Sequence, residues 1–131
     1  DFHRAITRAP TARARGGWLR LANIADARPG DVFAWLRPSD WPPRNTGHVG
    51  FLLEAPAPVP WLPGAYVVRI ADATSVAHQD DTRANDPDGG YGEGTLMFLT
   101  DGAGRATAYA WHGTFSGGAV QTNIVFGRLV R

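Results

Sequence analysis

The chain has 131 residues, 44% of them hydrophobic, and a formal net charge of +1. That length suits one globular domain able to bury about two thirds of its unfolded surface, and the composition is too apolar for a disordered tail. Cysteine is absent, which excludes a disulfide scaffold, a cysteine-ligated metal and a thiol nucleophile within these residues. All 13 basic residues are arginine, which excludes a Walker A loop, a Schiff-base lysine and a Ser–Lys dyad.

The charge balance supplies no field for nucleic acid or anionic membrane. No apolar run approaches the ~20 residues of a membrane helix. Arg4, Arg8, Arg13, Arg15 and Arg20 crowd the first twenty residues and read as a solvated face. The opening is polar and starts at Asp1 rather than methionine, so it does not read as a signal peptide and a start further upstream is expected.

Residues 1–15 read as the end of a helix and a polar link, with Phe2, Ile6 and Ala9 on one face and Pro10 as the stop. Residues 18–24 are short, apolar and ambiguous. Ala27-Arg28-Pro29-Gly30-Asp31 is a turn, and Asp31 to Leu36 a strand. Residues 37–47 carry three prolines and read as loop. His48 to Glu54 is a strand, residues 55–65 a proline-rich loop, and Tyr66 to Asp72 a third strand. Residues 73–93, polar and glycine-rich, read as one long loop of the kind that is usually functional. Thr95–Thr100 and Arg105–Trp111 flank the hairpin turn Asp101-Gly102-Ala103-Gly104, and residues 120–130 supply a last strand or two. The expected class is α+β: a short N-terminal helix on a mainly antiparallel sheet of about six strands, all in a single domain over residues 1–131.

Pairing the second and third strands antiparallel with Glu54 opposite Tyr66 puts His48 opposite Asp72 and Gly50 opposite Ile70. Opposed residues share a face, so imidazole and carboxylate would hydrogen-bond. Asp72 would orient the ring, hold one tautomer and favour imidazolium. The pair would sit at the polar rim of a wall formed by Leu52, Val68 and Ile70, with Gly50 leaving room beside the histidine. Spacing alone leaves two readings open, a catalytic base or a pair that merely satisfies itself.

Residues 28–35 (RPGDVFAW), followed by His48-Val49-Gly50-Phe51-Leu52-Leu53 and by an apolar strand ending at Asp72, resemble NlpC/P60-type papain-like cysteine peptidases. The resemblance covers residues 27–74. It implies the sheet-bearing, C-terminal part of a papain-like hydrolase domain with a cysteine, histidine and orienting-residue triad. His48 maps onto the base and Asp72 onto the orienting residue, where the family more often has His, Asn or Gln. The cysteine maps onto nothing here and is expected on a helix start upstream of Asp1, where a helix N-terminus and an imidazolium together depress a thiol pKa. The implied substrates are amide bonds of bacterial cell-wall peptides, and the implied location the cell envelope or outside the cell. A non-catalytic peptide- or glycan-binding module on the same scaffold is the alternative, and a small secreted β-rich interaction domain a third.

Trp41, in a proline-rich loop, and His78 and Asp81, in the long polar loop, are candidate substrate contacts. His78, Asp80 and Asp81 with His48 or Asp72 also offer metal-ligand chemistry, but they lack a helical ligand spacing. No metal and no cofactor are expected. Ser39, Thr46, Thr74 and Ser75 stand near the pair in sequence, but none lies in a G-x-S-x-G elbow. Trp35 and Trp111 read as core, Trp61 as exposed. His3 and His112 have no evident partner, and Gly89-Gly90-Tyr91-Gly92 lacks the context of a phosphate loop.

Overall fold

Asp1 caps a single short helix, α1 (Phe2–Arg8), its Oδ1 accepting from the Arg4 N–H. Seven residues are too few to hold a helix alone. Ile6, fully buried, anchors it against Val32, Ala34 and Val125. The computed structural model describes residues 1–41, 46–83, 86, 88–114 and 118–131. Among these, nine strands follow α1: β1 (Trp18–Leu21), β2 (Val32–Leu36), β3 (Gly47–Leu52), β4 (Ala57–Pro58), β5 (Ala65–Thr74), β6 (Gly90–Thr100), β7 (Ala106–Ala110), β8 (Val120–Gln121) and β9 (Ile124–Leu129).

The expected sheet of about six strands is therefore corrected to one antiparallel sheet of nine, ordered β1-β9-β2-β3-β5-β6-β7-β8 with β4 paired to β5. The difference lies in short pieces with weak periodicity. β1 is half-buried along its length, β4 is two residues ending on an edge proline, and the last segment divides into β8 and β9. Pro42 and Pro43 of the 37–47 loop lie outside the described residues.

The sheet curls on itself. Trp35 of β2 stacks on Tyr109 of β7, centroids 4.0 Å apart and planes 16° from parallel, although β3, β5 and β6 stand between those strands in the order. Phe33, Phe98 and Phe126 continue the interior through edge contacts at 5.0–5.5 Å. One face of β2 (Phe33, Trp35) thus lines the enclosed core while the other (Val32, Ala34) lies under α1. His48 pairs with Trp35 and Val49 with Ala34, so His48 faces the core and α1 lies on the opposite face. α1 therefore covers the face away from His48, and the sheet-bearing part of a papain-like fold expected from the resemblance is corrected to a sheet whose own curl closes the core beneath His48.

Asp31, in the Pro-Gly-Asp turn, is 2% exposed. Its Oδ2 accepts from the Arg28 N–H, and its carboxylate takes two charge-assisted bonds of 2.9 Å from Arg128 of β9. That turn carries structural weight, clamping β2 to β9 at the end of the sheet. The 101–104 turn forms as expected, Asp101 Oδ1 accepting from the Ala103 and Arg105 N–H groups. The glycine-rich stretch does not. Residues 90–94 are the first half of β6, paired residue for residue with β5 up to Thr74↔Gly90.

Candidate functional site

β3 and β5 pair as Gly50↔Asp72, Phe51↔Ala71 and Leu52↔Ile70. The expected register is corrected by two residues, because β3 leaves the ladder after Leu52: the Leu53 N–H bonds Arg69 O, and the Glu54 carboxylate accepts from the Arg69 N–H. A shift of two preserves which face each side chain takes, where a shift of one would invert it. His48 and Asp72 therefore remain on one face as diagonal neighbours, and His48 Nε2 lies 2.7 Å from Asp72 Oδ2. Directly opposite Asp72, Gly50 leaves its space to the Phe33 ring, which a Cβ there would meet at 2.5 Å.

The same Asp72 Oδ2 lies 2.6 Å from Nε2 of His78, and His78 Nδ1 lies 2.8 Å from the Trp111 carbonyl oxygen. Asp72 Oδ1 accepts from Arg83 Nη2 at 2.7 Å. Arg83 in turn grips Asp81 through Nε and Nη2 at 2.9 and 2.8 Å, and Asp81 also accepts from the His78 and Arg83 backbone N–H groups. All four of Asp72, His78, Asp81 and Arg83 are buried, while His48 keeps 15% of its side chain exposed. Burial alone would raise the Asp72 pKa, but hydrogen bonds from His48, His78 and Arg83 outweigh it and hold this carboxyl well below the usual range. Arg83 holds Asp81 down to about 2 against a smaller desolvation effect, and the two carboxylates raise Arg83 further, so all three stay ionised.

Glycines make this network possible. Asp72 faces Gly92 and Ile70 faces Gly94 across the β5–β6 ladder. A Cβ on Gly92 would sit 2.4 Å from Arg83 Nε, and one on Gly94 would sit 2.5 Å from Asp81 Oδ2 and 2.8 Å from His78 Cβ. The inner face of β6 is stripped of side chains at alternate residues so that the 78–83 segment can lie on it. Along β6, β7 stops pairing at Met97, and the segment takes the vacated edge through Gln79↔Thr95 and the Thr82 N–H to Glu93 O.

His48 borders two cavities. One, of about 300 Å³, is walled by Trp35, Trp41, Tyr109, Trp111 and residues 74–76. The other, of about 400 Å³, is lined by Asp1, Phe2, His3, Trp35, Thr46 and Gly47 among others. Trp41 lines the first of these with His48, half-buried against the core rather than free. His78 and Asp81 line neither cavity and act on the site from behind Asp72. Asp80 is exposed outside the cluster, its carbonyl accepting from Arg69. Thr74 and Ser75 reach the aromatic cavity and Thr46 the other, while Ser39 is exposed and lines neither. Trp61 is 82% exposed, away from both. Sequence reasoning missed Arg83 and the Trp111 carbonyl. The signal for Arg83 was the Asp-x-Arg spacing of 81–83, read together with the Gly-x-Gly-x-Gly of 90–94.

No protein-family model, curated protein or solved structure matches the chain. Among the described residues, no helix is long and apolar enough to cross a membrane.

Proposed function

We propose that this chain is the base-bearing part of an NlpC/P60-type cysteine peptidase or amidase acting on bacterial cell-wall peptides, in the envelope or outside the cell. The observation that carries the reading is His48. Its Nε2 is held by a buried, ionised Asp72, and its Nδ1 makes no hydrogen bond among the described residues. One nitrogen is therefore oriented while the other remains to take a proton, the arrangement a general base needs. The chain holds no cysteine, so the thiol comes from residues preceding Asp1. Asp1, Phe2 and His3 line one of the two cavities that His48 borders. The resemblance of residues 28–35 and 48–53 to the family's strings supplies the reaction class of this reading. Trp41 and Trp111 offer apolar faces to the substrate's acyl or sugar portion.

The test is the natural full-length protein, incubated with purified cell-wall muropeptides while new amino groups are counted. Wild type releases them, and His48→Gln loses about 10²–10⁴-fold, the usual worth of a general base. A folded full-length protein that releases none, or a His48→Gln variant as active as wild type, overturns the reading. The aromatic walls of the 300 Å³ cavity favour a second reading, a non-catalytic module that binds the same fragments. Saturable binding with no release of amino groups in the full-length protein selects it.

A further inference from the structure

We propose that His48, Asp72 and His78 form a site for one divalent cation of the zinc class. Their three ligand atoms, Nε2, Oδ2 and Nε2, lie within 4.8 Å of one another. The segments that hold them come from β3, β5 and the 76–83 loop, so no single sequence motif announces the set.

The hydrogen-bond accounting at His78 points to the cation. Its two nitrogens face a carboxylate oxygen and a backbone carbonyl oxygen, both of which only accept. In the absence of a cation, His78 satisfies both only by carrying a proton on each nitrogen, in a side chain that is fully buried. A divalent cation removes that demand. Nδ1–H continues to donate to the Trp111 carbonyl, and the Nε2 lone pair turns to the metal. A ligand histidine whose second nitrogen is fixed by a carbonyl, and a ligand carboxylate whose second oxygen is fixed by a donor, are the outer supports that metal sites use. Here Trp111 O and Arg83 Nη2 supply both.

Charge agrees. Arg83 is bound bidentately by Asp81, which cancels its charge locally and leaves the Asp72 carboxylate to face the cation. Two imidazoles and one carboxylate with a position left open suit zinc best among common divalent ions. Tetrahedral ligands at ~2.05 Å stand about 3.3 Å apart, so each histidine must retreat from Asp72 Oδ2 by roughly 0.6 Å. His48, at the cavity edge and partly exposed, has the room, and the cavity supplies the fourth position to water.

The consequence rests on the proposed function: a cation on His48 Nε2 displaces the Asp72 hydrogen bond that orients the base, so zinc inhibits the peptidase. Binding is tested first and without activity. The 131-residue chain is titrated with zinc chloride by calorimetry, and with cobalt chloride for the visible bands of a four-coordinate site. The expected result is one ion per chain, weakened at least tenfold in both His48→Gln and His78→Gln and unchanged in His112→Gln. Circular dichroism confirms that each variant is folded. His48→Gln, at the partly exposed member, keeps the test valid if His78→Gln does not fold. Absence of saturable one-to-one binding, or binding equally strong in His48→Gln, overturns the site. Zinc binding in a full-length protein without hydrolysis leaves the site standing and overturns only the peptidase. Hydrolysis that zinc saturating the site does not slow overturns the inhibitory role.

Discussion

Arg83→Met removes the guanidinium that joins two buried carboxylates while keeping length and apolar bulk. Arg83 is 5% exposed and makes five side-chain hydrogen bonds, two of them to the Asp72 and Gly90 carbonyl oxygens. Breaking a buried ion pair from one side costs about 3–5 kcal/mol, because the partner is left charged and unpaired. Asp72 retains its two imidazole partners and Asp81 its two backbone N–H donors, which places this case near the lower end, about 3 kcal/mol. With about 2.1 cal/mol/K of unfolding entropy per residue, that loss lowers the Tm by roughly 11 °C. The assay is thermal unfolding by circular dichroism at pH 7 and at steps down to pH 2. The gap between variant and wild type narrows as pH falls, because wild type loses the same ion pairs to protonation. Adding Asp81→Asn to Arg83→Met recovers part of the loss at pH 7. A Tm within about 3 °C of wild type at pH 7, less than 1 kcal/mol by the same conversion, refutes the reasoning, as does a gap independent of pH.

Three further outcomes are expected. Asp72 and Asp81 both have depressed pKa values, so their stabilisation is complete above the unfolded value near 4 and is lost as pH falls, for Asp81 through about 2; acid titration followed by circular dichroism should place the unfolding below pH 4. Gly94→Ala drives a methyl into Asp81 and His78 and should cost about 1–3 kcal/mol by urea denaturation, whereas Gly102→Ala, with nothing within 4 Å, should change little. Burial raises the Tyr109 phenol to about 12, so the folded protein keeps a proton there that the unfolded chain releases near pH 10. Stability should therefore fall as pH rises from about 10 to 12, and ultraviolet difference spectra should show Tyr109 ionising at the top of that range.

Much of this site was legible because sheet geometry is forgiving of even errors. The register was misjudged by two residues, since nothing in Leu53-Glu54 marks where β3 leaves the ladder. His48 and Asp72 still met, because parity and the reach of both side chains survive that shift. The hairpin at 101–104 and β2 were readable from turn chemistry and from Val32, Phe33 and Trp35. β4 was not, because a two-residue strand carries no periodicity, and nothing in residues 120–130 marked where β8 ends and β9 begins. The glycines at 90 and 92 suggested a loop by composition, yet with Gly94 they belong to a strand, and the space left by Gly92 and Gly94 is taken by Arg83, Asp81 and His78. Glycine alternating at period two was the available sign. The Trp111 carbonyl is backbone, and no sequence pattern could name it.

The way the 78–83 segment is held gives the site a lifetime of its own. Among the described residues, the segment bonds the backbone of β6 through its own backbone at two places, Gln79 with Thr95 and Thr82 with Glu93, and the rest of its hold is through side chains. β5 and β6 are joined by a ten-residue ladder. The segment can lift away as a unit while that ladder stays closed, so its amides exchange with solvent through an opening cheaper than global unfolding. Each such excursion frees Asp72 from His78 and Arg83 without melting the sheet. How often His48 is properly backed is therefore set by how tightly two glycines let a loop lie flat, and not by the stability of the domain as a whole.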